Sequence, residues 1–488
     1  MKLFTKITIS LVATLALVSC SEDFLDVDSR ENIEAIDSNE NITPEQFLNG
    51  IYGMYTDYAY AFSWLGITEI ISDNADKGSS PTDNGADKNL LDNLTFTSTA
   101  TSVREMWTQW YKTIGRASYS IAFTETYGLQ DEEYKDRLVG EAKFLRALTY
   151  FYLVRSFGDV TIQGDITIEN KEAILDPESN LSSRNSKEEV YAYIEQDLLA
   201  AIEVLPTKSE YASKDLGRAT KGAAQALLAK VYLYQQDYNQ ALEYANLVIN
   251  SGQYGLEANY EDIWREYTEN GTESIFEIQA RGEVIAHGVQ QYSQVQGARG
   301  PSGWGWGFNT PTENLVAAFD AEGDEIRKDA TIIFAGETLW DGREVSPSVE
   351  NPRYNEKAYS SANSGAADGD KNIRVIRYAE VLLIKAEAAN ELGQTSEALS
   401  ALNQVRQRVE LDDVVGLGQI ELRQKIWNER RLELAFEHDR WFDLIRTGQA
   451  EQAMQANGKT YVNGKHELFP IPENQLIQTP QMTQNPGW

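Results

Sequence analysis

Between residues 297 and 311 the sequence runs GARGPSGWGWGFNTP, which sets Trp304, Trp306 and Phe308 at alternate positions with single glycines between them. Three flat apolar rings at this spacing suit one kind of chemistry, stacking against a flat ligand face. On a strand, residues two apart share a side, so the rings would lie together, and a strand buried in the core would look the same. A core strand, however, seldom gives its other face to Gly303, Gly305 and Gly307, because glycine costs conformational entropy and packs nothing. The balance favours rings held out for a ligand, with two of the three in contact.

Bond-making chemistry has fewer candidates. Cys20 is the one cysteine, and the three histidines, His287, His438 and His466, have no partner at ligand spacing. Cys/His zinc sites and Cys/His nucleophile pairs are therefore excluded. His438 lies in a charged helical stretch and reads as a surface or satisfied helix residue. In ERRLELAFEHDRWFDLIRTG, the series Arg430, Arg431, Glu433, Glu437, Asp439, Arg440, Asp443 and Arg446 could do acid–base work. The same alternation is what ion pairing along a helix surface needs, with Trp441 and Phe442 turned inward, and that is the expectation. SDNADKGSSPTDNGADKNLLDN is dense enough in Asp and Asn for calcium, but it has no D-x-[DN]-x-[DN]-G frame and reads as a turn-rich surface loop. No metal or other cofactor is expected.

The elements that position these residues are mainly helices. The chain has 488 residues, 42% of them hydrophobic and 10% aromatic, values of a folded protein despite a charged fraction of 24%. Residues 103–126 place Trp107, Tyr111, Ile114 and Ser118 on one stripe, and the helix that begins at EEYKDRL is stopped by Gly158. Further helices are predicted at about 187–205, 219–235, 238–251, 375–393, 395–409, 419–435 and 438–446. Two helical pairs repeat one another: Ala229 precedes Ala241, and Ala386 precedes Ala398, each by twelve residues. That spacing resembles tetratricopeptide repeats, in which small residues let paired helices pack closely. The pairs are offset by 157 residues, from Ala229 to Ala386, whereas tandem arrays repeat about every 34, so the predicted fold is mostly α, an interrupted tetratricopeptide-like helical-repeat scaffold. Its helical parts are 103–251 and 375–447, and its large loop-rich insertions are 58–100 and 252–370.

The first residues form a targeting segment, with Lys2 and Lys6, then the apolar run ITISLVATLALV, then LVSC. Ser19–Cys20 resembles the lipobox of bacterial lipoproteins, so residues 1–19 are expected to be a signal peptide and Cys20 the site of lipid attachment. Residues 20–40, beginning SEDFLDVDSRE, would be an acidic tether, and 41–488 a single domain. No later run of about 18 apolar residues follows, so no membrane-spanning helix is expected. Without residues 1–19 the chain has 41 basic and 75 acidic residues, a net charge of −34. No cluster of Lys and Arg with interleaved aromatics offers a basic groove, so nucleic acid is not an expected partner, and strongly anionic glycans are disfavoured.

Taken together, LVSCSEDFLD, WTQWYKTIGRAS, EAKFLRALTYFYLVRSFGDV, GRATKGAAQALLAKVYLY, IRYAEVLLIKAEAANELG, ERRLELAFEHDRWFDLIRTG and the ending LFPIPENQLIQTPQMTQNPGW occur in the order of the SusD/RagB family. The chain resembles these surface glycan-binding lipoproteins of Bacteroidetes along nearly its whole length. Ser118 departs from the asparagine usual in the family's helix. The resemblance implies a non-catalytic protein, lipid-anchored on the extracellular face of the outer membrane, that binds oligo- or polysaccharide and delivers it to a SusC-like TonB-dependent transporter. Sugar rings would lie on aromatic platforms, and hydroxyls would meet planar polar groups. Because family sites come from the insertions, the candidate glycan contacts are Trp64, Asp73, Asn74, Tyr292, Trp304, Trp306 and Phe308. A neutral glycan such as a β-glucan fits the acidic balance. Two rivals stand beside this reading: a repeat scaffold binding protein or peptide on its concave face, and a glycoside hydrolase using two of the 75 acids.

Overall fold

The computed structural model describes residues 42–83, 85–163, 166, 178, 181–280, 288–360 and 369–488. The expected signal peptide, the whole of the expected acidic tether with Cys20, and His287 lie outside them. Two units are distinguished, Met1–Gln46 and Phe47–Trp488. Of the first, Thr43 and Gln46 form a reciprocal capping pair at the start of a helix. Everything below concerns the second.

After α1 (Pro44–Met54), which begins in the first unit, its principal helices are α2 (Tyr58–Leu65), α3 (Ala86–Asp92), α4 (Thr101–Thr126), α5 (Glu132–Phe157), α6 (Lys187–Val204), α7 (Lys221–Gln235), α8 (Tyr238–Asn250), α9 (Tyr378–Glu391), α10 (Thr395–Arg408), α11 (Gln419–Glu433) and α12 (Arg440–Arg446). Helix ends follow local chemistry. Asp131 caps α5 by accepting from the Tyr134 N–H, and Gly158 stops it at φ 70°, a conformation that favours glycine. Ser186 and Glu189 form a capping box on α6.

The long helices pack in succession: α4 on α5, α5 on α6, α6 on α7 and α7 on α8. The series then continues with α8 on α9 and α9 on α10, although residues 251–377 intervene in the sequence. The two expected helical pairs are thus neighbours in one stack. Ala229, Ala241, Ala386 and Ala398 are all fully buried, as close helix packing requires. The fold is mostly helical.

Three short antiparallel ribbons order the insertions. Strand β1 (Ala75–Gly78) pairs with β3 (Phe308–Pro311), β2 (Ser274–Ile278) with β6 (Ile373–Arg377), and β4 (Ile332–Phe334) with β5 (Arg353–Asn355). The β6 strand corrects the predicted helix from 375. Its sequence IRVIR is rich in β-branched residues, and the helix begins only at Tyr378.

Two further expectations change. Segment 58–100 is loop-rich only in part, because α2, a π-helical turn at Gly66–Ile70, β1 and α3 occupy much of it, and residues 63–75 are buried throughout. A helix as apolar as YAYAFSWL is stable only inside the body. The charged series of α11 and α12 is also interior. Arg377 binds Glu433 and Glu273, Arg327 binds Glu433 and Glu429, Arg155 and Lys230 share Asp439, and Arg430 meets Asp443, with every partner at least nine-tenths buried or close to it. Helix-surface pairing would leave these charges in water. Here they join elements far apart in sequence, and each buried charge has its counter-charge, without which burial would be prohibitive.

Candidate functional site

The β1–β3 ribbon brings the two insertions together. Gly78 stands opposite Phe308, and Asp76 opposite Thr310. Just before β3, the segment 303–307 folds back on residues 294–299. The N–H groups of Trp304 and Gly305 donate to the Ala298 carbonyl at 2.8 and 2.9 Å, that of Trp306 to Gln294 at 2.8 Å, and that of Gly307 to Gly297 at 2.9 Å. The glycines exist for this fold-back. A Cβ at Gly303 would lie 2.3 Å from the Ala298 carbonyl oxygen, one at Gly305 2.4 Å from that of Gln294, and Gly307 has φ 75°. No strand runs through Trp304 and Trp306, and the rings part company. Trp304 packs against Tyr359 in a small cluster with Ala298 and Ile333, under the Arg343 guanidinium at 4.9 Å. Trp306 leans on the main core and keeps part of its surface open.

Trp306 lines an open groove of about 500 Å³ together with Phe62, Phe308, Thr82, Asp83, Gly85 and Arg299. Phe62 and Phe308 meet edge to face, 4.9 Å between centroids at 71°. Behind them stand two ammonium groups, Lys88 Nζ at 3.9 Å from the Phe62 ring and Lys77 Nζ at 5.6 Å from the Phe308 ring. At the rim, Asp83 accepts from Lys77 at 2.9 Å and from the Gly85 N–H at 2.7 Å. Burial alone would raise the Asp83 carboxyl, but the Ser79, Lys77 and Gly85 hydrogen bonds and the Lys77 charge outweigh it and hold it at about 2. It is an anion in any ordinary buffer. Arg299 is anchored to Glu350 at 3.1 Å and Ser79 at 3.3 Å, which uses two of its five N–H donors. The groove is thus apolar and aromatic in its floor and walls, with fixed polar groups at its edge. Such an arrangement can stack against a flat ligand face and hydrogen-bond at its edge.

Trp304 is half-buried, and the other four expected contacts are in the core. Trp64 is 2% exposed and stacks on His438, 3.7 Å between ring centroids and 9° from parallel. His438 is correspondingly not a surface residue. Thr68 gives its hydroxyl proton to the Trp64 carbonyl at 2.7 Å, so it must accept from His438 Nδ1 at 2.8 Å. That leaves Nε2 to accept from the hydroxyl of Tyr292 at 3.1 Å. Burial pushes the imidazole down to about 3, and it stays neutral. Tyr292 is buried in the same assembly and offers no ring face. Asp73 receives both Arg440 Nε at 2.6 Å and Nη2 at 2.7 Å, with Arg431 at 3.2 Å. Burial would raise its carboxyl, yet the two guanidiniums hold it at about 2. Asn74 accepts from Arg431 Nε at 2.8 Å. Asp73 and Asn74 therefore lie in buried pairs, not on a surface loop. Among the described residues no group of three or more His, Cys, Asp or Glu is placed to hold a metal ion.

Of the seven expected contacts, the groove contains Trp306 and Phe308. Sequence reasoning missed Phe62, Thr82, Asp83, Gly85 and Arg299. One signal was available for Phe62: in a helix, Tyr60 and Trp64 share a face, and position 62 points away from it. Nothing in the sequence marks Arg299 or Asp83, since each reaches the groove only through the β1–β3 pairing.

Residues 348–488 match the sequence model of the SusD family, and residues 23–233 match one described as "Starch-binding associating with outer membrane". SusD-like protein P2 of Formosa agariphila is 30% identical over 527 aligned positions, covering 98% of each chain. Starch-binding protein SusD of Bacteroides thetaiotaomicron is 27% identical, covering 80% of this chain and 81% of its own. Among solved structures, a laminarin-binding SusD-like protein superposes with a TM-score of 0.76 at 29% identity, covering 91% of this chain and 99% of its own. With the helical stack interrupted by ribbon-ordered insertions, and relatives matched end to end, this chain belongs to the SusD family.

Proposed function

We propose that this protein captures a neutral oligo- or polysaccharide in the groove of Trp306, Phe62 and Phe308. The observation that carries the reading is the part-exposed Trp306 ring over an open groove edged by fixed Asp83 and Arg299. A pyranose presents an apolar, slightly positive C–H face, which complements the electron-rich face of an indole. Its hydroxyls then need donors and acceptors already in place, which the spare N–H groups of Arg299, the Thr82 hydroxyl and the Asp83 carboxylate supply. The cations of the groove are each paired with a carboxylate, Lys77 with Asp83, Lys88 with Asp87 and Arg299 with Glu350, so no free positive charge invites an anionic sugar. A β-glucan is the ligand we favour, supported by the laminarin-binding structural relative.

The step is binding without bond cleavage. In this reading Cys20 carries the lipid anchor, the protein stands on the extracellular face of the outer membrane, and the glycan passes to a SusC-like TonB-dependent transporter. The family model described as associating with the outer membrane supports that placement. The test is affinity electrophoresis of the chain from residue 21 in gels containing laminarin, with and without Trp306→Ala. Retardation that is lost in the variant supports the groove, and equal retardation in both overturns it. New reducing ends on incubation with laminarin would instead establish a hydrolase. Co-purification of a TonB-dependent transporter with the lipidated chain tests the partner.

A further inference from the structure

Beyond Phe62, which lines the groove, the row of aromatic rings goes on to Tyr58. Helix α2 has two aromatic faces: Tyr60 and Trp64 point into the core, whereas Tyr58 and Phe62, also four residues apart, point the other way. Tyr58 is 38% exposed, and its ring centroid lies 6.0 Å from that of Phe62, which in turn lies 4.9 Å from Phe308. The row of rings is continuous from the groove floor to open surface. Its outer end is also held in place. The Asp57 side chain caps α2 by accepting from the Ala59 N–H at 2.8 Å, and the Val289 N–H donates to the Thr56 carbonyl at 2.9 Å, fixing the turn that carries Tyr58. An exposed tyrosine on a capped first turn, in line with a ligand groove, is a pre-organised platform that loses little freedom when covered.

We infer that Tyr58 forms a second sugar platform, so that the site takes an extended glycan chain lying along Trp306, Phe62 and Tyr58, and prefers chains long enough to reach both ends. This rests on the groove being the glycan site. Its chemistry is that of the groove itself, one apolar sugar face per ring, with the Tyr58 hydroxyl at the outer end available to a sugar hydroxyl.

The experiment is calorimetric titration of the chain from residue 21 with the trisaccharide and the hexasaccharide of the β-1,3-glucan series. It compares the native chain with Tyr58→Ala, Tyr58→Trp and Trp306→Ala. The native chain is expected to prefer the hexasaccharide. Tyr58→Ala should reduce that preference by about threefold to tenfold through the hexasaccharide alone, and Tyr58→Trp should preserve or increase it. Trp306→Ala should weaken both ligands by about tenfold or more. If Trp306→Ala weakens both while Tyr58→Ala leaves the length preference unchanged, the second platform is wrong and the groove stands. If Trp306→Ala changes neither, or the native chain binds neither, the groove reading fails and the platform falls with it.

Discussion

Two aromatic assemblies in this protein are made of the same materials. Around Trp64 there are an indole, an imidazole and a phenol; around Trp306 there are an indole and two phenyl rings, with polar groups beside each. At Trp64 one ring face is taken by His438, Tyr60 and Tyr152 approach the indole as well, and the hydrogen-bonding groups of the imidazole are matched inside. At Trp306 the indole is supported from the core, but part of it faces a groove, and Arg299 has donors to spare. Residue type does not distinguish a platform from a core ring. What distinguishes them is whether the faces of the ring are already covered by the rest of the chain.

That contrast can be broken in several places. The largest effect is expected from Trp64→Ala, which should cost about 3–5 kcal/mol of stability by opening a cavity in a closed assembly. A melting temperature close to that of the native chain would mean that the Trp64 stack is not a core. Asp73→Ala should destabilise by a comparable amount, about 3–5 kcal/mol in denaturant titration, because Arg440 and Arg431 would lose their buried counter-charge. Were Asp73 instead a ligand contact, the variant would lose glycan affinity and keep its stability.

Gly305→Ala comes next, at about 1–3 kcal/mol, since the new methyl must displace the Gln294 carbonyl. It should also weaken glycan retardation by moving Trp306. Trp306→Ala itself should change stability by about 1 kcal/mol or less while weakening binding, the reverse of Trp64→Ala.

The smallest effect concerns pH. Glu69 accepts the backbone N–H of His438, and burial pushes its carboxyl from 4.5 up to about 8. The folded protein therefore holds a proton that the unfolded chain releases. The stability this contributes is present below about pH 4.5 and is lost as pH rises through about 8. Glu69→Gln should flatten the decline in melting temperature between pH 6 and 8.5. A decline as steep as in the native chain would place its cause elsewhere. His438 has the opposite sign. Its pKa of about 3 lies below 6.5, so its contribution is lost as pH falls between them.

Helices were the most legible part of the fold. The stripe through Trp107, Tyr111 and Ile114 and the stop at Gly158 come from local periodicity and backbone preference, and α4 and α5 lie within two residues of where these put them. The site was less legible because aromatic and carboxylate side chains serve cores and ligands alike. Trp64, Asp73, Asn74 and Tyr292 satisfied the chemistry of a sugar contact and were claimed by partners distant in sequence, His438, Arg440 and Arg431. Arg299 and Asp83 were passed over because nothing local announces a groove edge, whereas Phe62 was marked only by its place on the helix face opposite Tyr60 and Trp64.

In GWGWGF the sequence by itself determined that the backbone would be unusually bare and that aromatic rings would alternate with it. It also determined the helical stack, whose apolar periodicity and paired alanines are local properties. Only the tertiary structure decided what the bareness is for: the glycines let residues 303–307 press against the carbonyls of 294–298, and do not clear a path for a sugar. The same packing turns Trp304 toward Tyr359 and leaves Trp306 over the groove. Which ring faces the groove depends on what the rest of the chain brings against each, and that is a property of the packed body, not of the six residues.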